Sequence, residues 1–147
     1  MSKKLHIFYM EDEESVLNYW SQILSLENYR VTKASDAQDA MNEIKRFIEK
    51  REVVDYFLLD IMIIPWKPFS KEETLYGYLT GFKIANYILS NYKEINDNFK
   101  IIFFTVIMGV KGERIKEEVE KYLKENEDIC SLITKPTKFK DLRKLLS

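Results

Sequence analysis

LHIFYMEDEE, Leu5 to Glu14, joins a run of mostly apolar residues to four consecutive carboxylates, Glu11 to Glu14. The first half is partly β-branched or aromatic and reads as a buried strand over Leu5–Met10. Val16, Leu17, Trp20, Ile23 and Leu24 then recur at helical spacing, up to about Asn28. A strand that passes its chain straight into a helix is the unit of α/β folds. Acidic residues at a helix start are favoured by the macrodipole alone, which accounts for Glu13 and Glu14. Glu11 and Asp12, at the end of the strand itself, take their meaning from what the other strands end on.

The same alternation continues along the chain. Tyr29–Lys33 reads as a short strand. Ser35 and Gln38 have capping-box spacing before a helical stripe of Ala37, Ala40, Met41, Ile44, Phe47 and Ile48. Val53–Asp60 is a third strand, followed by a long connection from Ile61 to Thr80 that contains Pro65, Trp66 and Pro68. Thr80 is placed to cap a third helix carrying Phe82, Ala85, Ile88 and Leu89. Lys100–Thr105 is a fourth strand, Glu113–Asn126 a charged helix, Ile129–Thr134 a fifth strand, and Phe139, Leu142, Leu145 and Leu146 the stripe of a short last helix. Five strand–helix alternations predict a parallel sheet covered by helices on both faces. No linker, repeat or low-complexity tract divides the chain, so residues 1–147 are expected to form one domain.

Composition narrows the function. Apolar residues make up 46%, which argues against disorder. A net charge of −1 gives no basic surplus for nucleic acid, and no helix-turn-helix region is present. Cys130 is the only cysteine, so neither a disulfide framework nor a cysteine-based zinc site is expected, and a reducing cytosol fits. The first apolar run is too short and too soon acidic for a signal peptide, and no segment approaches the roughly 18 apolar residues of a membrane span. His6, the one histidine, is expected to pack within its strand rather than bind a ligand.

Ligands of open α/β sheets bind beyond the carboxyl ends of the strands. Here the first strand ends on Glu11 and Asp12, the third on Asp60, the fourth on Thr105, and the fifth on Lys135 and Pro136. Three carboxylates, a hydroxyl and an ammonium are thus directed to one edge of the sheet. Clustered carboxylates without histidine or cysteine suit a hard cation such as magnesium, held with the help of phosphate oxygens and water. An aspartate is also a nucleophile capable of forming an acyl phosphate. A threonine hydroxyl can hydrogen-bond a phosphoryl oxygen and a lysine can neutralise its charge.

With these residues placed, LHIFYMEDEESVLNYW, VDYFLLDIMIIP, FFT and LITKP together resemble the receiver domain of two-component response regulators, over nearly the whole chain. The resemblance implies a CheY-like, flavodoxin-like (βα)5 fold with strand order 2-1-3-4-5. It implies that Asp60 is the phosphoacceptor, with Thr105 as the switch hydroxyl and Lys135 as the phosphate-contacting lysine. It implies magnesium bound by Glu11, Asp12, Asp60 and the backbone carbonyl of Met62. The implied phosphoryl donor is a sensor histidine kinase or histidine phosphotransfer protein, and the output is binding of a downstream protein partner. Slow self-dephosphorylation is then signal decay, not enzymatic turnover. A cytoplasmic protein without direct nucleic-acid binding or membrane insertion is expected, monomeric or weakly dimeric. With no output domain following, the chain is expected to be a stand-alone receiver or a fragment of a longer protein.

Several positions depart from the family pattern. Pro65 lies five residues after Asp60 where the family has proline at four, and Gly81 lies twenty-one after it where a glycine at eight is usual. An insert at about 66–78, including Trp66, Phe69, Tyr76 and Tyr78, is therefore expected beside the site, packed on its own aromatics or presented to a partner. Val106 replaces a small residue, and Leu132 stands where an aromatic side chain often moves on activation. These differences favour an alternative reading, a phosphate-independent module of receiver fold. A third reading, an aspartyl-nucleophile phosphohydrolase, needs a second aspartate where Met62 stands.

Overall fold

The computed structural model describes residues 4–61, 63, 68–70, 72–73, 79–105, 110–135 and 137–146, with only the backbone of 110–115. Strands β1 (His6–Met10), β2 (Arg30–Ala34), β3 (Tyr56–Leu59), β4 (Lys100–Thr105) and β5 (Cys130–Thr134) alternate with helices α1 (Glu14–Leu26), α2 (Ala37–Lys50), α3 (Thr80–Asn91), α4 (Val110–Glu125) and α5 (Phe139–Leu145). All strand pairs are parallel, in the order β2-β1-β3-β4-β5. This is the parallel sheet covered on both faces that the alternation of elements predicts, in the strand order that the resemblance implies. No helix among the described residues is long and apolar enough to cross a membrane.

The strands are nearly continuous apolar runs because both faces are buried. Side chains alternate between the faces. Phe8, Met10, Phe57, Leu59, Ile101 and Phe103 pack on one side with residues of α2 and α3. Ile7, Tyr9, Tyr56, Leu58, Ile102 and Phe104 pack on the other with Leu17, Trp20 and Leu24 of α1 and Leu142 of α5. Phe57 is an aromatic hub, with Phe8, Tyr92 and Phe99 around it at centroid distances of 5.2–5.9 Å. The buried Tyr92 hydroxyl donates to the Glu52 carbonyl and accepts from the Val54 N–H, each at 2.6 Å. Such full pairing is what makes burial of a phenol affordable. Tyr9 differs: its hydroxyl is buried with no hydrogen-bond partner among the described residues.

At the amino ends of the strands lies His6, only 3% exposed, with Phe47 edge-on to its ring. Its Nδ1 is 3.1 Å from the Val53 carbonyl and its Nε2 is 2.7 Å from the Thr32 hydroxyl. A carbonyl only accepts, so Nδ1 carries the proton of the neutral ring and Nε2 accepts from Thr32. Burial lowers the His6 pKa, with the Val53 carbonyl opposing; Arg30 lowers it further, while Glu52 and Asp55 raise it. His6 is thus packed within its strand, as expected, but every polar atom of its ring is engaged.

Some local expectations are corrected. The α2 cap is Asp36, whose carboxylate accepts from the Asp39 N–H at 2.7 Å. Ser35 instead donates to the Asp39 side chain at 3.3 Å, so the capping box predicted from Ser35 and Gln38 does not form. Thr80 does not cap α3. It is the first helical residue, Leu79 precedes it as cap, and its buried hydroxyl donates to the Ile63 carbonyl at 3.1 Å. The local strand-end connection has taken the hydroxyl that a cap would use. The third strand is shorter than predicted, and α4 begins at Val110 rather than Glu113.

Candidate functional site

The ladder registers decide which side chains meet. Met10 pairs with Leu59, Leu59 with Phe103, and Thr105 with Thr134. The next residues continue the pattern: Asp60 N–H donates to the Met10 carbonyl at 3.2 Å and Lys135 N–H to the Thr105 carbonyl at 2.8 Å. By these registers Glu11 and Asp60 are level with Phe104, Thr105 lies one residue further along and Lys135 two, so with Asp12, one residue past Glu11, all five stand at the carboxyl edge. These five predicted site residues are brought together. The sixth predicted contribution, the Met62 carbonyl, lies outside the described residues, as do Pro65, Trp66, Tyr76, Tyr78, Val106 and Pro136.

Asp60 is held by a different group at each oxygen. The Thr105 hydroxyl donates to Oδ1 at 2.7 Å, and Lys135 Nζ lies 3.2 Å from Oδ2. Lys135 also donates to Glu11 Oε2 at 2.7 Å. Glu11 is 2% exposed and Asp60 6%, so these contacts form in a poorly solvated site. Burial, and then the neighbouring Asp60, push the Glu11 carboxyl up to about 8, while Lys135 pulls it the other way. Burial alone would lower the Lys135 pKa, but Asp60 and Glu11 outweigh it and hold the pKa above its ordinary value.

Glu11, Asp12 and Asp60 each offer an oxygen, and those oxygens lie within 4.8 Å of one another. An all-oxygen set with no histidine or thiolate fits a hard divalent cation. Three carboxylates against one ammonium leave two negative charges in excess when all are ionised, which a dication would offset. Binding must displace any proton on Glu11.

Two supporting residues were not identified as such from the sequence. Gly81 brings α3 against the backbone after Asp60: its N–H donates to the Ile61 carbonyl at 2.9 Å. A Cβ on Gly81 would lie 2.5 Å from the Asp60 carbonyl oxygen and 2.6 Å from Ile61 Cα. The glycine's position in the family pattern was legible; this close approach was not. The second is Phe104, whose ring has Lys135 Nζ 5.3 Å from its centroid. Leu132 packs half-buried against the α2–α3 side of the core. Of the predicted insert only 68–70 and 72–73 are described. Phe69 packs on the core, and Ser70 and Glu73 exchange reciprocal backbone–side-chain bonds at 2.7 and 3.0 Å. The S-x-x-E spacing of SKEE could have signalled that exchange.

No family model matches the sequence, and no curated protein is significantly similar to it. Solved structures do match. The signal receiver domain of an HD domain-containing protein from Pseudomonas fluorescens Pf-5 aligns with a TM-score of 0.66 at 20% identity, over 98% of this chain and 92% of that one. A CheY-like response regulator receiver domain protein from Methanospirillum hungatei JF-1 aligns at 0.64 and 19%, over 98% and 91%. The chemotaxis protein CheY4 of Vibrio cholerae aligns at 0.65 and 15%, over 98% and 97%. The chain has the fold of CheY-like receiver domains along nearly its whole length.

Proposed function

We propose that the chain is a phosphorylation-driven receiver switch, with Asp60 accepting a phosphoryl group from a sensor histidine kinase or histidine phosphotransfer protein. The observation that carries this reading is the arrangement around Asp60, where a hydroxyl and an ammonium each address a different carboxylate oxygen. An Asp60 oxygen attacks the phosphorus, the bond from phosphorus to the donor's imidazole nitrogen breaks, and the imidazole leaves with the electron pair and takes up a proton. Glu11, Asp12 and Asp60 would hold magnesium, which supplies charge neutralisation for the transferring group. Lys135 exchanges its contact with the Asp60 carboxylate for one with the phosphoryl oxygens. Thr105, already turned toward Asp60, follows the new acceptor.

Such a switch needs the phosphoryl group to interact differently with two conformations. Thr105 and Lys135 are the groups that supply the difference, because their present partner is the acceptor itself. The resulting surface change controls binding of a downstream protein. Loss of the phosphoryl group is slow signal decay, and the protein works in the cytosol as a monomer or weak dimer.

The test is intact mass after incubation with magnesium and acetyl phosphate, beside an Asp60→Asn control. A magnesium-dependent phosphoryl adduct absent from the control is the expected result. Absence of the adduct together with failure to bind beryllofluoride would overturn the reading and leave a phosphate-independent binding module.

A further inference from the structure

We infer that Phe104 is a positioning residue for Lys135, keeping the ammonium over the acceptor once a divalent cation occupies the neighbouring carboxylates. The inference rests on the switch reading of the same site, but not on any known role for this position.

Among the described residues, three groups neighbour Lys135 Nζ. Two are carboxylate oxygens, Glu11 Oε2 at 2.7 Å and Asp60 Oδ2 at 3.2 Å. Both belong to the set that would hold a cation. A dication drawn to those oxygens competes for the lysine's partners and repels its charge. The third neighbour is the Phe104 ring, its centroid 5.3 Å from Nζ. The ring offers no ligand to a metal, so this contact survives cation binding. Its negative face attracts an ammonium, most strongly where water is excluded. Lys135 is in such a place, with its side chain 10% exposed.

The ring is itself held. Phe104 is fully buried and meets Trp20 of α1 at 5.1 Å and 75°, and Tyr9 of β1 at 6.2 Å and 83°. Both contacts are edge-to-face, the arrangement aromatic pairs prefer. Phe104 and Thr105 are also consecutive in β4, so one strand end places both the ring under the lysine and the hydroxyl on Asp60. An ordinary core residue would only need to fill space between Trp20 and Tyr9. A residue that positions Lys135 must present a π face to it, and a leucine of comparable bulk does not.

The experiment compares wild type, Phe104→Leu, and protein carrying pentafluorophenylalanine at position 104, which keeps the ring shape and reverses its face potential. Side-chain NMR of Lys135 in the magnesium-loaded protein is expected to show ring-current-shifted ε protons in wild type that return toward free lysine values in Phe104→Leu. Beryllofluoride affinity at saturating magnesium is expected to fall about tenfold in both variants. Magnesium affinity alone is expected to stay equal or rise up to threefold, because a less firmly held lysine competes less for Glu11 and Asp60. A structural defect would instead weaken magnesium and beryllofluoride together, and that result overturns the inference, as do unchanged Lys135 resonances in Phe104→Leu. If Phe104→Leu fails to fold, the pentafluoro protein decides through its beryllofluoride affinity. If wild type binds magnesium but no beryllofluoride, the switch reading fails, and the Lys135 resonances still decide whether Phe104 positions the lysine.

Discussion

Gly81→Ala sets two physical tendencies against each other, and the geometry says which prevails. Alanine is the better helix former by about 0.8–1.0 kcal/mol in a helix interior, and Gly81 is the second residue of α3. Propensity alone therefore predicts a modest gain. The new Cβ, however, would lie 2.5 Å from the Asp60 carbonyl oxygen and 2.6 Å from Ile61 Cα. Both are backbone atoms of the strand end that carries Asp60, and neither can rotate away. Comfortable contact is about 3.5 Å, so α3 must retreat by about 1 Å. That retreat lengthens the Gly81–Ile61 bond at 2.9 Å and the Thr80–Ile63 bond at 3.1 Å. Overpacking typically costs about 1–3 kcal/mol and each weakened hydrogen bond about 1 kcal/mol. Offset by propensity, the net loss is expected to be about 2–4 kcal/mol. Urea denaturation should show a lower midpoint at unchanged slope, and the thermal midpoint should fall by about 4–16 °C. An alanine variant as stable as wild type would refute the reasoning, because the helix could then yield without loss.

Three further outcomes follow from single contacts. Tyr9→Phe removes a buried hydroxyl with no partner among the described residues, so stability should be unchanged or rise by up to about 1–3 kcal/mol; a loss above about 1 kcal/mol in the same assay would count against the unpaired hydroxyl. Asp36→Ala should lose about 0.5–2 kcal/mol as α2 loses its cap, while Ser35→Ala stays within about 0.5 kcal/mol; the opposite ranking would restore Ser35 as the cap. The folded protein lowers the His6 pKa below 6.5, so the unfolded chain binds the proton more readily. The His6 contribution to stability is therefore complete above the unfolded value and declines as pH falls through 6.5 toward the lower folded value, by at most about 1.4 kcal/mol per pH unit. Glu11, raised in the fold, acts in the opposite sense between its ordinary value of 4.5 and about 8. The difference between wild type and His6→Asn across pH 5.5 to 7.5 isolates the histidine, and a flat difference would contradict the assigned neutral ring.

Much of the architecture was legible because a sheet buried on both faces leaves a plain mark, as in the uninterrupted Ile101–Phe104 run of β4. The grouping of Glu11, Asp12, Asp60, Thr105 and Lys135 was legible for a related reason. In a parallel sheet all strands point the same way, so chain order tells which residues share an edge. What escaped was set by contacts across elements or by competition between adjacent polar groups. Ser35 and Asp36 are both good caps, and only the extended Asp36 backbone, φ −153°, decides between them. Thr80 looked like a cap until the Ile63 carbonyl claimed its hydroxyl. The ring beneath Lys135 comes from a residue thirty-one positions earlier, and no periodicity announces that pairing.

The paired contacts at the start of α3 also bear on how this chain tolerates change in length. Gly81 bonds Ile61 and Thr80 bonds Ile63, two rungs that tie the departing and returning chain together at the site's edge. Between those rungs the sequence runs through the fifteen residues 64–78, of which 68–70 and 72–73 are described, with Phe69 packed on the core. Replacing those residues with about five would recover only about 1 kcal/mol of closure entropy, because that term grows with the logarithm of length. Phe69 would surrender its contact with the core in exchange. The number of residues between Ile63 and Leu79 thus weighs little on stability, while the bonds of Thr80 and Gly81 hold the start of α3 to the chain that follows Asp60.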